Sequence, residues 1–71
     1  MTAEQWIESF AGAIGLSPPD PAEVEAILEL ASTAAHDSER VAAPVAAWLA
    51  GVSGKSLTEI NEVATGVLGS E

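Results

Sequence analysis

The chain has 71 residues, 48% of them hydrophobic, with no Cys and with eleven acids against two bases for a net charge of −9. That length allows one domain, 1–71, whose core supplies about 3–5 kcal/mol of net stability, and the lack of Cys excludes disulfide and thiolate–metal staples. The charge argues against nucleic acid and anionic membrane surfaces, because both need clustered Lys and Arg. The acids are dispersed along the chain, which reads as a soluble, self-repelling surface.

Ala, the strongest helix former, supplies much of the apolar content, and no stretch alternates with period two. An all-α fold follows: a compact bundle of four short helices, at about 3–14, 21–36, 41–51 and 57–68, with antiparallel neighbours around one core. No apolar run approaches the ~18 residues of a spanning helix. The opening MTAEQWIESF carries acids where a signal peptide carries bases, so a cytoplasmic protein is expected.

Thr2 and Gln5 have capping-box spacing and open the first helix at Ala3. Ala3, Trp6, Ile7, Phe10 and Ile14 form one apolar stripe, and Glu4, Gln5 and Glu8 fall off it. Gly15 is the expected stop, and Gly12 marks a candidate close approach of another helix. Leu16-Ser17-Pro18-Pro19 is a stiff connection. Asp20, Pro21 and Glu23 supply a cap, a first helical Pro and a reciprocal acid for the second helix. Its stripe is Val24, Ile27, Leu28, Ala31 and Ala35, with Leu30 flanking.

Pro44 limits the third helix. Its ring clashes with the carbonyl of Arg40 if that turn is helical, so an unkinked helix starts at 41–43 and leaves 37–40 as a turn that Asp37 or Ser38 can cap. The alternative is one kinked helix from about Ser38. Val45, Trp48, Leu49 and Val52 form the third stripe, ended by Gly51 or Gly54. Ser56 and Glu59 form a further capping box, and Leu57, Ile60, Ala64, Val67 and Leu68 the fourth stripe, beside Val63. Gly69, Ser70 and Glu71 are expected to fray.

Candidate chemistry gathers at 36–48. His36 can act as a base or ligand, yet one His beside Asp37 and Glu39 makes a weak site; the structural reading has it capping the second helix or bonding a carbonyl across the turn. Arg40, the single guanidinium, favours bidentate carboxylate pairing and is expected to pin the turn by an ion pair. Trp6 and Trp48 are expected as core anchors on facing helices, with a partner surface as the alternative. No catalytic, metal-binding or cofactor-binding constellation is expected, so the leading function is a non-enzymatic accessory or protein-interaction domain. The alternative is a small-ligand or nucleotide-binding protein using His36, Ser38 and Arg40. A third reading has Asp37-Ser38 as the modification site of an acyl-carrier-like protein, against which stand Glu39 after the Ser, the interruption at Pro44 and the capped helix before it.

The Trp6-Ile7-Glu8-Ser9-Phe10 segment and the central set His36, Ser38, Glu39, Arg40, Ala43 and Pro44 resemble a small helical family of actinobacteria, a domain of unknown function (DUF6457). The resemblance runs nearly full length. It implies a helical fold and, because some members are joined to molybdenum cofactor guanylyltransferase, an accessory role in molybdopterin-guanine dinucleotide biosynthesis with that enzyme as partner. It carries over no catalytic residue, and the oligomeric state stays open.

Overall fold

A computed structural model describes residues 1–68; the expected fraying of Gly69, Ser70 and Glu71 lies outside the described residues. Four helices follow in order: α1 (Ala3–Ala13), α2 (Pro21–Asp37), α3 (Ala42–Ser53) and α4 (Leu57–Gly66). The described residues form no strand. No helix among them is long and apolar enough to cross a membrane.

The helix ends obey local chemistry. At α1, Thr2 Oγ1 accepts from the Gln5 amide at 3.1 Å while Gln5 Oε1 accepts from the Thr2 amide at 2.9 Å. At α2, Asp20 and Glu23 exchange the same pair at 2.8 and 2.9 Å, with Pro21 opening the helix. Four amides at a helix start lack intrahelical acceptors, and these boxes satisfy two at each end. Asp20→Ala is therefore expected to cost about 1 kcal/mol, visible as a fall of about 4–8 °C in a circular dichroism melt. After α1, Gly15 turns to φ 80°, its amide donating to Gly12 O and that of Leu16 to Ala11 O at 2.8 Å. This Schellman closure needs the left-handed geometry that Gly adopts without a Cβ clash.

Pro44 falls in the first turn of α3, where its missing N–H costs no helical bond. The Arg40 carbonyl, which a Pro44 amide would have taken, accepts instead from Ala43 at 3.1 Å, and Glu39 O accepts from Ala42 at 3.0 Å. These three-residue bonds start an unkinked helix after Arg40, as the sequence requires. No side chain caps it: Val41 holds the cap position, and the Ser38 hydroxyl turns back to donate to Ala34 O at 2.6 Å. Ser38 stands three residues before that position and so closes α2 instead of opening α3. The third helix passes through Gly51 and ends at Gly54, φ 73°. At α4, Ser56 accepts from the Glu59 amide, but the reciprocal half of the expected box is not formed, and the Glu59 carboxylate accepts from Lys55 Nζ at 3.2 Å.

The core forms around α2, which packs against both α3 and α4; no other pair of helices packs comparably. Leu30 is 5% exposed and is the largest side chain in the buried set, which otherwise holds Ala11 and Ala50. Two flanking helices widen the buried arc of α2 beyond one stripe. Leu30 therefore sits at its centre, and Leu28, placed on the stripe by periodicity, is exposed. On α3 the half-buried residues are Ala42, Ala43, Ala46 and Ala47 beside buried Ala50. Small side chains let the two backbones approach, and Val45, Trp48, Leu49 and Val52 face solvent as a result.

A side-chain hydrogen bond ties α4 to α2: Asn61 Nδ2 donates to Ala26 O at 3.0 Å and also to Leu57 O at 3.1 Å. Asn61 Oδ1 is buried with no partner among the described residues. Helix α1, joined through the Pro18-Pro19 connection, buries Ala11 but packs far less than α3 and α4 do. Its whole stripe is exposed, and nothing lies within 4 Å of where a Gly12 Cβ would be, so Gly12 marks no close approach. The molecule is correspondingly long, 40 × 23 × 18 Å.

Candidate functional site

The 36–48 corner is built by the end of α2, the turn at 38–41 and the uncapped start of α3. His36 lies in the last turn of α2, where basic residue types suit the helix dipole. Its ring is exposed and makes no hydrogen bond among the described residues, so it does not bridge the turn. Arg40 is exposed as well, and the ion pair observed among the described residues belongs to Lys55 and Glu59. The expected pinning of the turn by Arg40 is thus not formed. The Ser38 hydroxyl and the two short backbone bonds into α3 close the turn instead. Arg40→Ala is accordingly expected to change monomer stability by less than about 0.5 kcal/mol, read from urea unfolding at low protein concentration.

Beside this corner lies a groove of about 340 Å³, where Leu30, Ala46 and Ala64 meet Asp37 and Ser38. Neither His36, Glu39 nor Arg40 lines it. The three residues of the ligand-binding reading are therefore not brought together: Ser38 reaches the groove, while His36 and Arg40 do not. The group that accompanies Ser38 is an acid, Asp37, which repels phosphate. Among the described residues no three of His, Cys, Asp and Glu gather as a metal ion would need.

Both tryptophans lie elsewhere than expected. Trp6 is 56% and Trp48 66% exposed, so neither anchors the core. Trp6 stacks on Phe10, one helical turn away, with ring centroids 5.0 Å apart and planes at 19°. Around them the open stripe of α1 continues through Ile7 and Ile14, and that of α3 through Val45, Leu49 and Val52. A second groove, about 500 Å³, runs between the Pro18-Pro19 connection and the starts of α1 and α2, with Glu4 and Glu8 beside Ile7, Val24 and Leu28. In soluble proteins large contiguous apolar patches, where exposed, are commonly interaction or ligand sites. Periodicity located both stripes; what it missed was that they face outward.

A family model described as a domain of unknown function (DUF6457) matches residues 1–68. No curated protein and no solved structure matches the chain.

Proposed function

The chain belongs to the DUF6457 family, and from that footing we propose that it is a non-enzymatic accessory domain that works by binding other protein surfaces. The observation that carries this reading is the pair of open apolar stripes bearing Trp6, Phe10 and Trp48, side chains of the type that dominate binding energy at protein interfaces. A small core built on one helix presents these stripes on two others, with Glu4 and Glu8 beside the stripe of α1.

The context proposed is molybdopterin-guanine dinucleotide biosynthesis, with a molybdenum cofactor guanylyltransferase as partner, on the strength of the family resemblance. The test is retention of that enzyme by the immobilised full chain, together with its guanylylation rate when the chain is added. Retention or a changed rate is expected. Neither effect would remove the molybdenum context.

A further inference from the structure

We infer that the open faces of α1 and α3 cover one another between two copies of the chain, in a two-fold dimer where α1 of each copy lies on the outer face of α3 of the other. The inference rests on the interaction-domain reading and names the first partner, a second copy.

Area supports it. The chain exposes 5436 Å². A folded chain of this mass exposes about 4,100 Å², so the excess is about 1,300 Å², more than the ~800 Å² that each partner buries in a stable interface of standard size. The radius of gyration is 13.0 Å, where a compact chain of this length has about 11 Å. Large apolar side chains on α1, which packs on nothing comparably, and on the outer side of α3 are part of that exposed surface.

The two faces also match each other. With 11 and 12 residues, α1 and α3 are nearly equal in length. Both present large apolar side chains, Trp6, Ile7, Phe10 and Ile14 on one and Val45, Trp48, Leu49 and Val52 on the other. The third helix carries no charged residue and Arg40 stands at its start, next to Glu39, while Lys55 past its end is already paired with Glu59; α1 carries Glu4 and Glu8 and no base. Arg40 has no ion-pair partner among the described residues of its own chain, so a Glu of the other copy's α1 is available to it. Pairing α1 with α1 sets Glu4 and Glu8 against their copies, and pairing α3 with α3 leaves α1 open. The reciprocal arrangement covers both stripes at once, as a two-fold axis requires that each contact be made twice.

Sedimentation equilibrium of the full chain, of Trp6→Glu and of Trp48→Glu tests this. The wild-type mass is expected to rise with concentration from 7.2 kDa towards twice that value. Each variant is expected to stay monomeric with its helical circular dichroism intact, because both side chains are exposed. An equimolar mixture of the two variants is expected to recover the dimer mass, more weakly than wild type, because one α1–α3 contact is then restored. If a Trp variant loses helicity, Phe10→Glu or Val52→Glu on the same faces replaces it. A wild-type chain that stays monomeric up to submillimolar concentration overturns the proposal, as does a mixture that remains monomeric. A monomer that still retains the guanylyltransferase ends this proposal alone; a dimer that retains none ends only the molybdenum context.

Discussion

Leu30→Ala is expected to leave most of the chain unfolded at physiological temperature. Truncating a buried Leu costs about 2–5 kcal/mol, from lost transfer energy and the cavity left behind. A domain of this size holds only about 3–5 kcal/mol in all. Leu30 is the one large side chain in the buried set, and it lies where α2 meets Ala46 of α3 and Ala64 of α4. The other large apolar residues of α2 and α4, Ile27 and Ile60 among them, are at most half-buried. A circular dichroism melt at low protein concentration, where self-association adds nothing, is expected to show a midpoint lowered by at least about 10 °C or no cooperative transition. Leu28→Ala is the paired control: Leu28 is exposed, so a change within about 0.5 kcal/mol is expected. If the two variants melt alike, the α2-centred core is wrong.

The second large effect is expected at Asn61. Its amide donates to two carbonyl oxygens, Ala26 O and Leu57 O, and its own oxygen is buried without a donor. Asn61→Asp removes the donor and sets a carboxylate against two oxygens, with a cost of about 3 kcal/mol. Burial and those oxygens disfavour the charged form, so the introduced carboxyl has a higher pKa folded than unfolded. Its stability deficit is therefore smallest below about pH 4, the ordinary Asp range, and grows as pH rises through and above that value. Asn61→Leu removes donor and orphaned oxygen together and is expected to be nearly neutral, since replacing a polar group by an apolar one of similar shape leaves no new unpaired atom in the side chain. Urea unfolding at pH 4 and pH 7 checks both substitutions. An Asp variant equal to wild type at pH 7 contradicts the α2–α4 tie.

The helix ends were legible in the sequence because their causes are local. Thr2 with Gln5, Asp20 with Glu23, and Ser56 with Glu59 act within four residues; Gly15 and Gly54 act through their own φ; Pro44 acts through the carbonyl of Arg40. What could not be read was which way the helices face. The third helix, AAPVAAWLAGVS, has no polar side to mark as outside. Periodicity favoured burying Val45 and Trp48, whereas the alanines win because they allow the closest approach to α2. For α1 the stripe was correctly drawn, but a stripe does not say whether its cover comes from the same chain. Leu30 and Asn61 escaped for a related reason: α2 is covered on two sides, and one polar residue beside the α4 stripe is used for a bond across 35 residues of sequence.

At 36–48 the bonds that close the turn differ from the one expected. The lone Arg among eleven acids invited an ion pair within the chain, yet short backbone bonds and the Ser38 hydroxyl close the turn. That leaves His36 and Arg40 exposed at the base of α3, beside the surface assigned to the other copy.

Tryptophan fluorescence tests the central claim most directly, because the two indoles report on the two faces in question. In the dilute single chain both are expected to emit as water-exposed indoles and to be quenched freely by acrylamide, then to shift to shorter wavelength and gain protection as the concentration rises. Blue-shifted, protected emission that persists unchanged on dilution would contradict the account, since it would place Trp6 and Trp48 inside the monomer.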